Sequence, residues 1–138
     1  MKNKCSSLEI INSFLRNIDS NFIYHVIEDE RCGCIYIIEK NGKAILKSIW
    51  FGVLFDRVYL DVLSVIESER RKGLGSRLLN IHIMSIKEAN CYSIVSVKYK
   101  SWMHDWFLSK GYDKDPEGDI RGEEDESVRF LLLNNKNN

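Results

Sequence analysis

The chain has few of the features that divide or cross-link a protein. It contains one proline, Pro116, so no proline-rich linker divides its 138 residues, a usual length for one domain. No apolar run approaches the roughly 20 residues of a membrane-spanning helix. Residues 1–4 do not open a signal peptide. We therefore expect one domain over residues 1–138, no membrane partner and a cytoplasmic location.

The sequence also lacks an excess of either charge and a zinc-type cysteine pattern. Its 20 Lys and Arg residues balance 20 Asp and Glu residues, so the net charge gives no global attraction to nucleic acid. The cysteines are Cys5, Cys32, Cys34 and Cys91, and the central two are too close for the usual zinc-binding pair. We therefore expect free thiols, no metal site and no nucleic-acid partner.

The most informative stretch is residues 65–79, V-I-E-S-E-R-R-K-G-L-G-S-R-L-L. A β-type run over residues 58–65 ends in a charged turn, and a helical pattern begins at Gly73. The first N–H groups of a helix lack intrahelical partners and the dipole is positive there, so an anion is favoured. Three basic residues at 70–72 add positive charge, and glycines 73 and 75 let a ligand approach the backbone. The stretch predicts a binding loop for a pyrophosphate or a similar polyanion.

The glycine spacing excludes two common phosphate-binding motifs. Residues 70–76, R-R-K-G-L-G-S, lack the third glycine of the G-x-G-x-x-G turn found in dinucleotide-binding folds. They also do not fit the G-x-x-x-x-G-K-[ST] loop of P-loop proteins. From this loop alone, an ordinary basic turn before a glycine-initiated helix is an equally good interpretation.

The hydrophobic pattern of the first half predicts one helix and a run of strands. Ser6 and Glu9 form a capping-box pattern before an amphipathic helix over about residues 6–18. Four strands are predicted over residues 22–27, 34–38, 44–55 and 58–65. Asn41 and Gly42 predict a type I′ hairpin turn, and Asp56 with Arg57 a further turn. Short connections of this kind join antiparallel neighbours.

The second half alternates helices with strands, which predicts a mixed α/β (α+β) domain. A long helix starts near Leu74, and a second helix carries an aromatic face and ends at Gly111. Strands are predicted over residues 92–97 and 128–133, the core over 22–133, an acidic loop over 113–126 and a polar tail over 134–138. A helical crossover permits the flanking strands to be parallel.

This order of elements resembles the GCN5-related N-acetyltransferase (GNAT) domain. Arg70-x-x-Gly73-x-Gly75 is similar to the acetyl-CoA loop of that family, R/Q-x-x-G-x-G/A. Residues 106–112, W-F-L-S-K-G-Y, fall where the family has its f-Y-x-k-x-G-F segment. The resemblance covers residues 44–133 best and implies a mixed, mostly antiparallel sheet with a long helix after the loop. The N-terminus departs from the family, which usually opens with a strand.

The resemblance implies acetyl-CoA as co-substrate and a gap between two strands as its binding site. In the family fold the strand ending at Val65 diverges from the strand over residues 92–97, and backbone groups in the gap bind the pantetheine arm. Leu63 and Val65 would contact pantetheine and the thioester. The loop residues that would hold the phosphates are Arg70, Arg71, Lys72, Gly73, Leu74, Gly75 and Ser76. For Arg71 and Lys72, plain solvated positions are an equal alternative.

The implied reaction is direct transfer of an acetyl group to a primary amine of a small molecule or protein. It needs a base for the amine and is helped by an acid for the departing thiolate. Asp61 is the first candidate for the base, since period two would place it on the face of Leu63 and Val65. His104 is the second candidate, on the second helix.

Two departures from the family pattern bear on the reaction. Phe107 stands at the position of the acid tyrosine and has no proton to donate, and Lys100 replaces a frequent asparagine. They support an alternative function, a catalytically weak acetyl-CoA-binding regulatory or interaction domain. An acetyltransferase acting on aminoacyl-tRNA and a nucleotide-binding domain of another kind fit the charge and the loop less well. The acidic loop is either solvated or guides a cationic acceptor, and the resemblance also suggests a homodimer.

Overall fold

The computed structural model describes residues 10, 13–18, 20–29, 33–50, 57–98, 101–114 and 129–134. Its strands are β1 (Ile23–Asp29), β2 (Gly33–Lys40), β3 (Ala44–Trp50), β4 (Arg57–Val65), β5 (Tyr92–Val97), β6 (Asp113–Lys114) and β7 (Arg129–Asn134). Two helices with defined bounds are α1 (Leu74–Ala89) and α2 (Trp102–Ser109). The strands form one sheet in the order β1-β2-β3-β4-β5-β7-β6.

The sheet is mixed and mostly antiparallel, as predicted. β1 to β4 form an antiparallel meander. Asn41 and Gly42, with φ values of 47° and 75°, make the left-handed turn expected of a type I′ hairpin. The α1 crossover places β5 parallel to β4, and β7 then pairs antiparallel with β5. The local turn and crossover signals therefore predict the order of the sheet from β1 to β5.

Three predicted boundaries are wrong by a few residues. The predicted acidic loop begins as strand β6, in which Asp113 pairs with Leu132 and Lys114 with Leu131. The edge of β7 provides backbone hydrogen-bond partners for these two residues. This pairing outweighs the low strand propensity of Asp and Lys. Asn134 pairs with Tyr92 in β7 instead of starting the tail, and Arg57 belongs to β4 instead of to a turn. Each error concerns pairing between distant segments.

The described part of the N-terminal region agrees with the amphipathic helix. Residues 10 and 13–16 are helical, Leu15 is buried, and Phe14 packs against the core. The capping-box residues Ser6 and Glu9 lie outside the described residues, as do residues 51–56, Lys100 and residues 115–128.

One apolar core joins one face of the sheet to the helices. Tyr36, Leu46 and Val58 point from the sheet into this core, where Leu78 and Ile86 of α1 are fully buried. Burial of such side chains contributes roughly 1.5–3 kcal/mol each, and the packing fixes the start of α1 relative to β4. Within the described residues, no helix combines the length and apolar character needed to cross a membrane.

Candidate active site

β4 and β5 diverge halfway along their length. Their parallel pairing runs from Arg57 opposite Tyr92 to Leu60 opposite Val95. Beyond that point β4 still pairs with β3 and β5 with β7, but the described residues show no pairing between the two strands. The sheet therefore opens into a slot whose walls carry backbone groups outside the β4–β5 ladder, the arrangement that the resemblance implies.

A β-bulge lies on the β4 wall of this slot. Lys47 is opposite Val62 and Ser48 is opposite Leu60, so Asp61 is an extra residue on β4. The bulge reverses the alternation of faces, and Leu63 follows Leu60 onto the core side. The expectation that Asp61 shares a face with Leu63 and Val65 is therefore wrong, because strict period two fails at a bulge. The Asp61 carboxylate lies 3.6 Å from Lys47 Nζ on the other face.

Two cavities meet to form one groove. The larger, about 800 Å³, lies beside the loop before α1, and the smaller, about 310 Å³, is the slot between β4 and β5. Leu63 and Met103 line both cavities. A ligand with an anionic end and a narrow arm can therefore extend from the loop into the sheet.

The loop presents the unsatisfied N-terminus of α1 to the larger cavity. A 3-10 turn (Glu67–Glu69) is followed by left-handed residues at Arg71 and Gly73, with φ values of 68° and 82°. Gly73 is the N-cap and offers no side-chain cap, and the first turn of α1 contains no acidic residue. The N–H groups and dipole of this end are left for an anion. Arg70 Nε donates to the Val65 carbonyl at 2.9 Å and orders the loop.

Most predicted cofactor-binding residues meet at this groove. Those that line the larger cavity are Leu63, Val65, Arg70, Arg71, Gly73, Leu74, Gly75 and Ser76. Lys72 is not among the lining residues. Its ammonium group donates to Glu69 Oε1 at 3.3 Å, and its side chain is 59% exposed. Eight of the nine predicted residues therefore line one cavity, and Lys72 instead contacts Glu69.

The two candidate bases differ in position. Asp61 lines the slot, and its side chain is 45% exposed. His104 is buried, its Nδ1 lies 3.3 Å from the Asp105 carboxylate, and neither cavity includes it among its lining residues. The structure therefore brings Asp61 to the groove and leaves His104 beside it. No group of three or more potential metal ligands occurs among the described residues.

Phe107 forms an apolar wall of the slot. It is fully buried and makes edge-to-face contacts with Trp106 and Tyr112, at centroid distances of 5.0 and 5.1 Å. Tyr112 is itself buried. The position that resembles the family's acid tyrosine therefore supplies packing and no proton.

A buried hydrogen-bonded chain lies behind this wall. Ser93 Oγ is 2.7 Å from the Tyr112 hydroxyl and 2.8 Å from His82 Nε2. Burial lowers the pKa of His82 to about 3 and raises the pKa of Tyr112 far above its usual value. All three groups are therefore neutral near pH 7, and the hydrogen-bonded chain joins α1, β5 and the segment after α2.

Sequence reasoning missed the contribution of α2. Trp102, which is 73% exposed, and Trp106 both line the larger cavity. Lys110 lies one turn further on, where its Nζ donates to Ser76 Oγ at 3.0 Å and sits 5.4 Å from the Trp106 ring centroid. The four-residue steps from 102 to 106 to 110 place these side chains on one helical face. That spacing is a signal that the sequence contains.

Comparison with protein families gives a match to the model described as "Acetyltransferase (GNAT) family" over residues 6–117. Comparison with curated protein sequences gives no match.

Solved structures share the fold at low sequence identity. A GNAT family acetyltransferase from Staphylococcus aureus Mu50 is 21% identical, with 98% of this chain and 94% of that chain covered and a TM-score of 0.57. A GNAT family acetyltransferase from Elizabethkingia anophelis with acetyl-CoA bound is 12% identical, with coverage of 84% and 99% and a TM-score of 0.58. The ribosomal-protein-S18-alanine N-acetyltransferase from Escherichia coli is 16% identical, with coverage of 92% and 77% and a TM-score of 0.57.

Proposed function

This chain belongs to the acetyltransferase (GNAT) family, and from that premise we propose that it transfers the acetyl group of acetyl-CoA to a primary amine of a small molecule or protein. The observation that carries the proposal is the pair of adjoining cavities, one beside the loop before α1 and one in the slot between β4 and β5, with Leu63 and Met103 lining both. It matches a cofactor with a polyanionic end and a narrow thioester arm. The acetyl-CoA named for the Elizabethkingia anophelis structure supports the same co-substrate here.

The phosphates of acetyl-CoA are assigned to the larger cavity. There the N–H groups at the start of α1 and the guanidinium groups of Arg70 and Arg71 face an anion together. Glu69 also lines this cavity, but Lys72 neutralises its carboxylate. The balance of charge in the cavity is therefore positive.

The pantetheine arm is assigned to the slot. Residues 61–65 of β4 have no ladder partner on β5 among the described residues, so their backbone groups are available to the amides of the arm as to an added strand. Leu63, Met103 and Phe107 give the slot apolar walls that exclude water from the thioester.

Acetyl transfer then takes place at the Asp61 end of the slot. The nitrogen lone pair of the amine attacks the thioester carbonyl carbon, the carbon–sulfur bond breaks, and CoA leaves as the thiolate. Asp61 accepts a proton from the amine. Phe107 has none to give, so the thiolate, whose conjugate thiol has a pKa near 8.5, is protonated by water. His104 is the second candidate for the base.

Acetyl-CoA titration followed by an acceptor screen tests this proposal. Calorimetry should detect binding of acetyl-CoA and none of ATP or NAD, because the slot selects the pantetheine arm. Thiol release from acetyl-CoA should then appear with at least one acceptor in a panel of primary amines. Binding of a nucleotide in place of acetyl-CoA would contradict the assignment of the groove.

Phe107 favours a second function, a catalytically weak acetyl-CoA-binding regulatory or interaction domain, because it lines the slot where a tyrosine proton donor is expected. Tight binding of acetyl-CoA with no thiol release for any acceptor would support this alternative.

Two further predictions concern location and assembly. Cell fractionation can test the predicted cytoplasmic location, and size-exclusion chromatography can test the predicted homodimer.

A further inference from the structure

We propose that Lys110 is a phosphate-binding residue of the acetyl-CoA site, an inference that rests on the proposed function. Lys110 is the C-cap residue of α2 and contacts Ser76, 34 positions earlier, in the first turn of α1. It therefore adds a cation to the anion-binding loop from a different element of the fold.

The geometry places the Lys110 ammonium group beside the larger cavity. Its Nζ donates to Ser76 Oγ at 3.0 Å and lies 5.4 Å from the Trp106 ring centroid. Ser76 and Trp106 both line that cavity. The Lys110 ammonium group has three donors, so one hydrogen bond to Ser76 leaves capacity for a phosphate oxygen.

The electrostatics of this position favour a bound anion. A lysine at the end of a helix is stabilised by the negative pole of its own helix. Lys110 instead directs its charge to the start of α1, where the dipole is positive and the first turn contains no acidic residue. Arg70 and Arg71 line the larger cavity, and Lys110 reaches its edge through the hydrogen bond to Ser76, so three cations lie near a positive helix end. A polyanion among them would convert this repulsion into attraction.

The competing interpretation is a structural tie between α1 and α2. A tie through one hydrogen bond to the Ser76 hydroxyl could also be made by an uncharged polar side chain, and it would stabilise the protein without ligand. A phosphate contact would instead change affinity in a charge-dependent and salt-dependent way. The two interpretations therefore differ in measurable quantities.

The experiment measures the Kd of acetyl-CoA for the full chain and for the variants Lys110→Met, Lys110→Arg and Lys87→Met. We expect Lys110→Met to weaken binding on the order of 10- to 100-fold, as loss of a charge-assisted hydrogen bond would. Lys110→Arg should retain most of the affinity because it keeps the charge. Lys87 is exposed in the last turn of α1 and serves as the matched control.

Salt and thermal unfolding separate binding from a structural role. The wild type should bind acetyl-CoA more tightly than Lys110→Met at low salt, and this difference in affinity should decrease as NaCl rises from roughly 0.05 to 0.5 M. The reason is that a shorter Debye length screens the charge of Lys110. The ligand-free Tm should change little. Unchanged affinity in Lys110→Met would overturn the assignment, as would a salt-independent loss that accompanies a lower Tm. If the wild type itself binds no acetyl-CoA, the proposed function fails and the assignment of Lys110 fails with it.

Discussion

Asp61 is the one carboxylate among the described residues that line the slot, and its position on the bulge determines how it can act. Replacement by Asn keeps the size of the side chain and removes the proton acceptor. We expect Asp61→Asn to lower kcat about 100-fold at pH values below the pKa of the acceptor amine, with recovery at higher pH. Initial rates across pH 6–10, roughly, measure this, and the exposed Glu67 gives a control variant, Glu67→Gln. A pH profile that Asp61→Asn leaves unchanged would exclude Asp61 as the base.

Phe107 permits the opposite change, the gain of a proton donor. Phe107 lines the slot to which the thioester is assigned. The hydroxyl of a Phe107→Tyr variant would therefore lie near the leaving thiolate and could donate a proton to it. We expect kcat to rise roughly tenfold, whereas Phe107→Leu should give no rise. A lower Tm without a gain in rate would mean that the hydroxyl is buried without a partner, at a cost of about 1–3 kcal/mol, and would contradict the assigned orientation.

At the scale of single residues, the sequence identifies chemistry better than position. Asp61 is conspicuous in an apolar strand, but the face on which it lies depends on a bulge set by pairing with β3. In the sequence Lys110 is an ordinary lysine at a helix end, because its contact with Ser76 forms only when α1 and α2 pack together. Both effects arise from tertiary structure, which local patterns do not contain.

The loop and the start of α1 give a prediction at the scale of an element. Gly73 has φ near 82°, and no atom lies within 4 Å of the position that a Cβ would occupy. A side chain at this position therefore fits sterically, and its effect depends on backbone conformation and on charge. Asn and Asp both tolerate the left-handed region better than other residues and have the same shape. We expect Gly73→Asp to weaken acetyl-CoA binding at least about tenfold relative to Gly73→Asn, because a carboxylate would oppose the phosphates.

Titration calorimetry of the two Gly73 variants at low salt is the measurement, with circular dichroism as the check on folding. Equal affinity of acetyl-CoA for the two folded variants would contradict the assignment of its phosphates to the start of α1. The comparison isolates charge, since the two side chains impose similar strain on the backbone.

Elements defined by local chemistry are predictable here, and elements defined by distant pairing are not. The Asn41-Gly42 turn and the basic loop before α1 follow from their own residues. β6 does not, because Asp113 and Lys114 form a strand only through pairing with β7. The slot depends on where the β4–β5 pairing stops. Its position could be predicted only from the resemblance to a known family, because no local pattern marks the end of the pairing.

At the scale of the whole molecule, the chain His82–Ser93–Tyr112 links stability to pH. These buried groups join α1, β5 and the segment after α2 behind the slot. Burial lowers the pKa of His82 from 6.5 to about 3, so the folded protein keeps this imidazole neutral. Below pH 6.5 the unfolded chain gains a proton that the folded protein does not bind. The stability contributed by His82 is therefore fully present above pH 6.5 and decreases as the pH falls toward 3.

The loss from His82 is about 1.4 kcal/mol per pH unit, or roughly 2 kcal/mol between pH 6.5 and pH 5. Urea unfolding of the wild type and of His82→Gln at pH 5 and pH 7.5 measures it. Gln is uncharged at both pH values and can hydrogen-bond Ser93, so the variant should show a smaller loss of unfolding free energy on acidification. Other titrating groups are common to both proteins and cancel in the difference. Equal losses in the two proteins would mean that His82 becomes protonated without unfolding, through a conformation in which the imidazole reaches water.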